Sequence, residues 1–302
     1  MRKVAWPAGL ALLPFLAAGP TRVLGQAPAV PAPQLGRAPG FDNPPTGTPE
    51  PAPRLPDGTP NLGRVPGEKG VWNVRYVFDF GDRVVGHEVA PPERKNGPNP
   101  KLPGSRAQPW VPFMPWSAAV YDYHIRNEAK YDPEGYCLPP GGPRMMVTPY
   151  PMEIIQIPEQ KRILMIFEGA THIWREIYMD GREHPRGDSL NPTFLGHSVG
   201  RWDGDTLVID VVGFNEGSWL DPIGHPHTDL LHLVERLSRP SKQTLHYEAT
   251  IDDPGAYTRP WTVSWDVSWA PGRELAEYIC QENNRYLNRL KDDFGQPVIG
   301  VK

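Results

Sequence analysis

The chain has 302 residues, 39% of them hydrophobic and 22% charged, with 39 prolines, 30 glycines and a formal net charge of −4. This acidic balance, with no run of Lys or Arg, gives the chain no electrostatic reason to seek nucleic acid or an anionic membrane surface. It has no P-loop, no Gly-x-Ser-x-Gly and no dinucleotide fingerprint behind a strand, which sets aside nucleotide-binding, serine-hydrolase and Rossmann chemistries.

In chain order the first predicted element is a leader. Arg2 and Lys3 precede an apolar run from Val4 to Ala18, and Val23 and Gly25 follow, so residues 1–25 read as a secretory signal peptide cut before Gln26. Pro7 and Pro14 interrupt a run already too short to span a bilayer, and no cysteine stands near the cut to carry a lipoprotein anchor. The mature chain is therefore expected outside the cytoplasm, periplasmic or secreted, without a membrane span. Its charge becomes −7 once Arg2, Lys3 and Arg22 leave with the leader.

Residues 26–67 are dense in proline and almost free of large apolar side chains, the composition of a disordered tether. Residues 68–302 read as one β-rich domain with a loop-rich insertion over 87–116, whose Trp110, Phe113 and Trp116 predict that its second half docks on the body. Nine short segments rich in β-branched and aromatic residues follow: "VWNVRYVFDF", "MEIIQI", "RILMIFE", "HIWREIYM", "HSVGRW", "TLVIDVV", "LLHLVERL", "TLHYEATI" and "WTVSWDVSW". "IPEQKR", "MDGRE" and "WDGDT" supply reversals between them. The pattern predicts a mainly β fold, an antiparallel meander closed or nearly closed into a barrel. Helices are expected over Trp116–Asp132 and, after a strand "ELAEYICQ", in "NNRYLNRLK".

The only cysteines are Cys137 and Cys280, an even count that favours a disulfide in an exported chain. In "TVSWDVSW" Val263, Trp265, Val267 and Trp269 share one face, which is either plain core or the wall of a ligand cavity. Trp174, Trp202, Trp265 and Trp269, with Arg144 of "GGPR", are the candidate ligand-binding residues for an apolar or aromatic small molecule. In "HIWREIYMD" one charged side chain must turn inwards, and Glu153 or Glu168 is its expected partner.

"GHPHTDLLHLVER" sets His225, His227, His232, Asp229 and Glu235 within thirteen positions. Period two places Asp229, Leu231, Leu233, Glu235 and Leu237 on one face, and extended backwards it adds His225 and His227. His227 with Asp229 or Glu235 is a candidate acid–base set, and His225 and His227 are candidate ligands for a divalent first-row metal. The bland alternative is a pair of solvated or capping histidines and a Glu235 held in an ion pair.

The stretches "GRWDGDTLVID", "GHPHTDLLHLVER" and "TIDDPGAYTRPWTV", with "EGYCLPPGGPR" and "DGREHP", resemble an uncharacterised family of exported bacterial proteins, over about Trp116 to Asn284. "KGVWNVRY" is similar to the first strand of lipocalin-like barrels, with Gly70 and Trp72 as its Gly-x-Trp. The first resemblance implies export, the second a barrel. The combined expectation is an exported small-molecule binding protein. The competing expectation is an exported hydrolase or proton-transfer enzyme using His227 with Asp229 or Glu235, with or without a metal.

Overall fold

The computed structural model describes residues 48–87, 106–169 and 173–282. The expected signal peptide, the first part of the tether, His172 and the helix expected in "NNRYLNRLK" lie outside the described residues. The nine sequence segments become nine strands: β1 (Gly70–Asn73), β2 (Pro151–Ile157), β3 (Arg162–Phe167), β4 (Trp174–Tyr178), β5 (His197–Asp203), β6 (Thr206–Val212), β7 (His232–Ser241), β8 (Thr244–Asp252) and β9 (Trp261–Pro271). They pair in sequence order, and β9 closes on β1 to complete a barrel.

The meander is not wholly antiparallel. β4 and β5 run parallel, with Ile177 opposite Ser198, because "MDGRE" opens a long connection over residues 179–196 instead of turning the chain straight back. The "WDGDT" reversal does form a two-residue hairpin loop: Asp203 pairs with Thr206, and Gly204 takes the positive φ (57°) that such a loop needs at its first central position. The "ELAEYICQ" segment forms no strand; its backbone meets the barrel through Ala276 N–H, which donates to Glu168.

Alternation sets the interior. Along β7, Leu233, Glu235, Leu237 and Arg239 are buried while their neighbours are half-exposed or exposed, and along β9 Trp261, Val263, Trp265 and Val267 are buried. The lumen is filled by side chains: Trp265 lies 5.3 Å from Phe80 and 4.9 Å from Tyr247, ring centre to ring centre. Across it runs an ion pair between Arg175 of β4 and Glu235 of β7, completed by Tyr247 Oη–H to Glu235 at 2.7 Å and Arg175 Nε–H to Ser198 at 2.9 Å. Arg175 is thus the inward charge of "HIWREIYMD". Its partner is Glu235 and not Glu153 or Glu168: Glu153 is held by Arg64, and Glu168 accepts from Ala276.

The proline-rich segment does not stay free as far as Gly67. Leu62 is fully buried, Trp72 Nε1–H donates to its carbonyl at 2.7 Å, and Arg239 donates to the carbonyls of Asn61 and Gly63. The Arg239 guanidinium also lies over the rings of Trp72 (4.8 Å) and Trp269 (5.4 Å). Gly70 permits this packing, since a Cβ there would sit 2.2 Å from the Trp269 ring. The second half of the 87–116 insertion docks as expected: Phe113 is buried and Trp110 Nε1–H donates to the Gly81 carbonyl at 2.6 Å.

One helix, α1 (Pro115–Arg126), is described; it stops six residues short of Asp132 because Glu128 and Ala129 both adopt left-handed backbone, φ 53°. Beyond it Cys137 is bonded to Cys280 across a Cα–Cα distance of 5.5 Å, tying the segment after α1 to the one after β9. The Cys137→Ser/Cys280→Ser variant is expected to lose about 2–4 kcal/mol of unfolding free energy, read from urea midpoints. Among the described residues no helix is long and apolar enough to cross a membrane.

Candidate functional site

The end of the barrel where β8 passes into β9 is closed by residues 74–87 and 106–114, by α1 and by the 213–231 connection. Pairings of Phe113 with Tyr257 and of Val84 with Val263 fix this cap to the barrel. Inside it Asp79, Asp221 and His225 are fully enclosed, and one ligand atom from each lies within 4.8 Å of the others. The "DPIGH" stretch builds half of the cluster locally. Asp221 accepts the backbone N–H groups of Gly224 and His225 at 3.0 Å each, and Gly224 turns the chain at φ +102°. A Cβ on Gly224 would meet the His124 ring at 2.4 Å, so the turn admits only glycine.

The other Asp221 oxygen accepts Phe80 N–H and His225 Nδ1–H, both at 2.7 Å. Burial alone would raise this carboxyl; His225 beside it and the converging N–H donors outweigh that and hold it below the ordinary carboxylate range. Asp79 accepts from Gly81 N–H (2.7 Å), Tyr121 Oη–H (2.8 Å) and Gln108 Nε2–H (3.0 Å), and stands 3.9 Å from His225 Nδ1. Phe113, Tyr121 and Trp261 surround the His225 ring at 5.2, 4.4 and 5.6 Å. Its Nε2 is buried and makes no hydrogen bond. The set can hold a cation or orient an imidazole as a base, although protein N–H and O–H groups already occupy most of the carboxylate lone pairs.

Tyr121 separates this cluster from the surface. On its outer side a groove of about 370 Å³ is bounded by Phe78, Tyr121, Ile125, Glu128, Ala129 and Ile223. A second groove of the same volume shares Phe78, Glu128 and Ala129 and continues past Tyr76, Tyr150, Tyr278 and Arg144. Tyr76 and Phe78 are 51% and 43% exposed, an unusual placement for adjacent large aromatics. The groove wall also contains the left-handed Glu128 and Ala129; non-glycine residues held there store strain, which clusters at ligand clamps.

Arg144 lines the groove, but its guanidinium is tied down by Asp132, by Glu134 at 2.9 Å and by the Asp221 carbonyl at 3.3 Å. The candidate tryptophans do not converge. Trp265 is core, Trp269 packs on Trp72, Trp202 lies partly buried, and Trp174 is 57% exposed on the outside because β4 turns Arg175 and Ile177 inwards.

The proposed acid–base residues separate as well. His227 is buried, its Nε2 3.1 Å from Ser218 Oγ and its Nδ1 3.1 Å from the Thr228 carbonyl. Asp229 is exposed, and Glu235 is in the lumen with Arg175 and Tyr247. Pro226 and the Gly224 turn break the alternation that would have aligned the histidines, so of the two candidate metal ligands only His225 joins the enclosed carboxylates. Sequence reasoning missed Asp79, Asp221, Tyr121, Tyr76 and Phe78. "DPIGH", an Asp before Pro and Gly with a His four residues on, was the available signal for Asp221; Asp79 had none.

No family model, curated protein or solved structure matches this chain. The site is therefore read from its own geometry.

Burial pushes the imidazoles of His124 and His227 below the ordinary histidine value. A depressed folded value means that the unfolded chain takes up protons first. Stability is thus intact above about pH 6.5 and is lost as pH falls from there towards the folded values. The melting temperature is expected to drop between pH 7.5 and pH 5.5, and to drop less in His227→Gln. His246 is shifted the other way by Asp266, but it is largely solvent-screened.

Proposed function

We propose that the protein is an exported small-molecule binding protein whose ligand, an apolar or aromatic compound, occupies the groove on the barrel cap. The observation that carries this reading is the pair of exposed rings, Tyr76 and Phe78, on a groove whose volume lies in the range of small-molecule sites and whose wall holds two strained residues. The packed lumen gives a ligand no comparable space among Trp72, Tyr247 and Trp265. The disulfide is compatible with export.

The test uses an aromatic dye, 8-anilinonaphthalene-1-sulfonate, titrated into the mature protein. Saturable one-to-one binding is expected, weakened about tenfold by Phe78→Ala, as the loss of a buried aromatic contact implies. Binding unaffected by Phe78→Ala and Tyr76→Ala would remove the groove from consideration.

A second reading, an exported proton-transfer enzyme, is favoured by one observation: Asp221 fixes His225 through Nδ1 and leaves Nε2 without a partner, the division of labour between an orienting carboxylate and a general base. On that reading Tyr121 is the gate between groove and imidazole, and Tyr121→Phe alters turnover of a groove ligand without abolishing its binding.

A further inference from the structure

Four aromatic rings stand on the second groove in two pairs. Tyr76 and Phe78 lie 6.0 Å apart on one stretch of chain, and Tyr150 and Tyr278 lie 4.6 Å apart on two others, ring centre to ring centre. Three carboxylates share the wall with them, those of Glu128, Asp132 and Glu134, against one guanidinium, that of Arg144. Their depth decides which charge a ligand meets. The Arg144 side chain is 3% exposed, whereas those of Asp132 and Glu134, which hold it, keep 19% and 20% of their surface. Glu128 is exposed, and among the described residues it has no ion-pair partner. Arg106 lines the first groove and not this one, so the excess of acid belongs to the second.

Taking the groove as the ligand site, we propose that its ligand is an organic cation: an ammonium head in the second groove among Tyr76, Tyr150, Tyr278 and Glu128, on an apolar or aromatic body that lies in the first. The face of an aromatic ring carries the negative side of its quadrupole and attracts a cation within about 6 Å of its centre, most strongly where water is partly excluded. A one-sided excess of carboxylate draws the same charge from further off and repels an anion. Rings alone would take any apolar body, and carboxylates alone any small cation. The two together select a substituted ammonium.

The phenols add no charge of their own. Burial first, and then the carboxylates of Asp132, Glu134 and Asp221, hold the Tyr76 hydroxyl above the ordinary tyrosine value against the pull of Arg144. Burial and the neighbouring Tyr278 do the same for Tyr150, so both rings stay neutral. The body of the ligand has its own walls, because the first groove shares Phe78, Glu128 and Ala129 with the second and adds Tyr121, Ile125 and Ile223. Head and body thus meet at the left-handed Glu128–Ala129 step.

The experiment is calorimetric titration of the mature protein, at low ionic strength, with benzyltrimethylammonium, benzyl alcohol and benzenesulfonate in turn. One benzyltrimethylammonium per chain is expected, bound about tenfold more tightly than benzyl alcohol, with benzenesulfonate weakest. Glu128→Gln should weaken the cation about three- to tenfold and leave benzyl alcohol unchanged, and Tyr278→Leu should weaken the cation about as much. Glu159→Gln, in the turn at the far end of β2, should change nothing. Equal affinity for benzyl alcohol or benzenesulfonate overturns the proposal, as does wild-type affinity for the cation in both Glu128→Gln and Tyr278→Leu. Saturable dye binding without preference for the cation removes this proposal alone, whereas failure of both dye and cation to bind removes the groove with it.

Discussion

Replacing Asp221 with alanine is expected to lower the unfolding free energy by about 3–5 kcal/mol, measured by urea denaturation followed through tryptophan fluorescence. The change strands the backbone N–H groups of Phe80 and His225 in an enclosed site, while Gly224 N–H keeps its bond to the Asp221 carbonyl, and it leaves the His225 ring without a hydrogen bond, with only the Asp79 carboxylate 3.9 Å from Nδ1. Each orphaned donor costs about 1–3 kcal/mol in part-relaxed surroundings, so the total reaches that range even after the cap readjusts. Asp221→Asn keeps an acceptor for two of the N–H groups and should cost less. The sign of the pH dependence follows from the direction of the shift. The Asp221 carboxyl is held below its ordinary value, so its contribution is intact above the unfolded carboxylate pKa and fades as pH falls through the folded one. A cost below about 1 kcal/mol for Asp221→Ala would mean that the cap does not depend on this network.

The second large effect lies in the lumen. Glu235→Ala is expected to cost about 3–5 kcal/mol, because it leaves the Arg175 guanidinium buried and opposed by no carboxylate, with Tyr247 losing its acceptor. The triple variant Arg175→Met/Glu235→Leu/Tyr247→Phe should instead lie near the wild type or above it, since it removes the polar groups together and keeps their volume. Comparing the two by urea unfolding separates the cost of breaking the pair from the worth of having it. If single and triple variants lose equal stability, the ion pair is itself a net source of stability.

These two networks also show where sequence reading succeeds and stops. Period-two alternation along "LLHLVERL" put Glu235 on the leucine face, and it is on that face, at the centre of the lumen. The alternation could not say that Arg175, three strands away in the barrel order, would meet it, because a partner across a closed sheet is fixed by curvature and not by local pattern. In "VWNVRYVFDF" the reading as one long strand fails after Asn73. The chain leaves the ladder there, burying Val77 and Asp79 and turning Tyr76 and Phe78 out to the groove. A local apolar run does not record where its hydrogen-bonding neighbour ends. The same limit explains β4 and β5: "MDGRE" has turn chemistry, yet the long connection behind it returns the chain parallel.

By itself the sequence determined the order of the nine strands that form, the inward face of β7 and β9 and the pairing of Cys137 with Cys280, because each rests on periodicity, turn residues or simple counting along the chain. The tertiary structure alone decided which polar groups meet. Asp79 and Asp221 are 142 positions apart and His184 and His232, which share Asp210, are 48 apart, and only closure of the barrel and folding of its cap bring each pair to a common partner. Contacts of that span depend on the path of the whole sheet, which no window of neighbouring residues encodes.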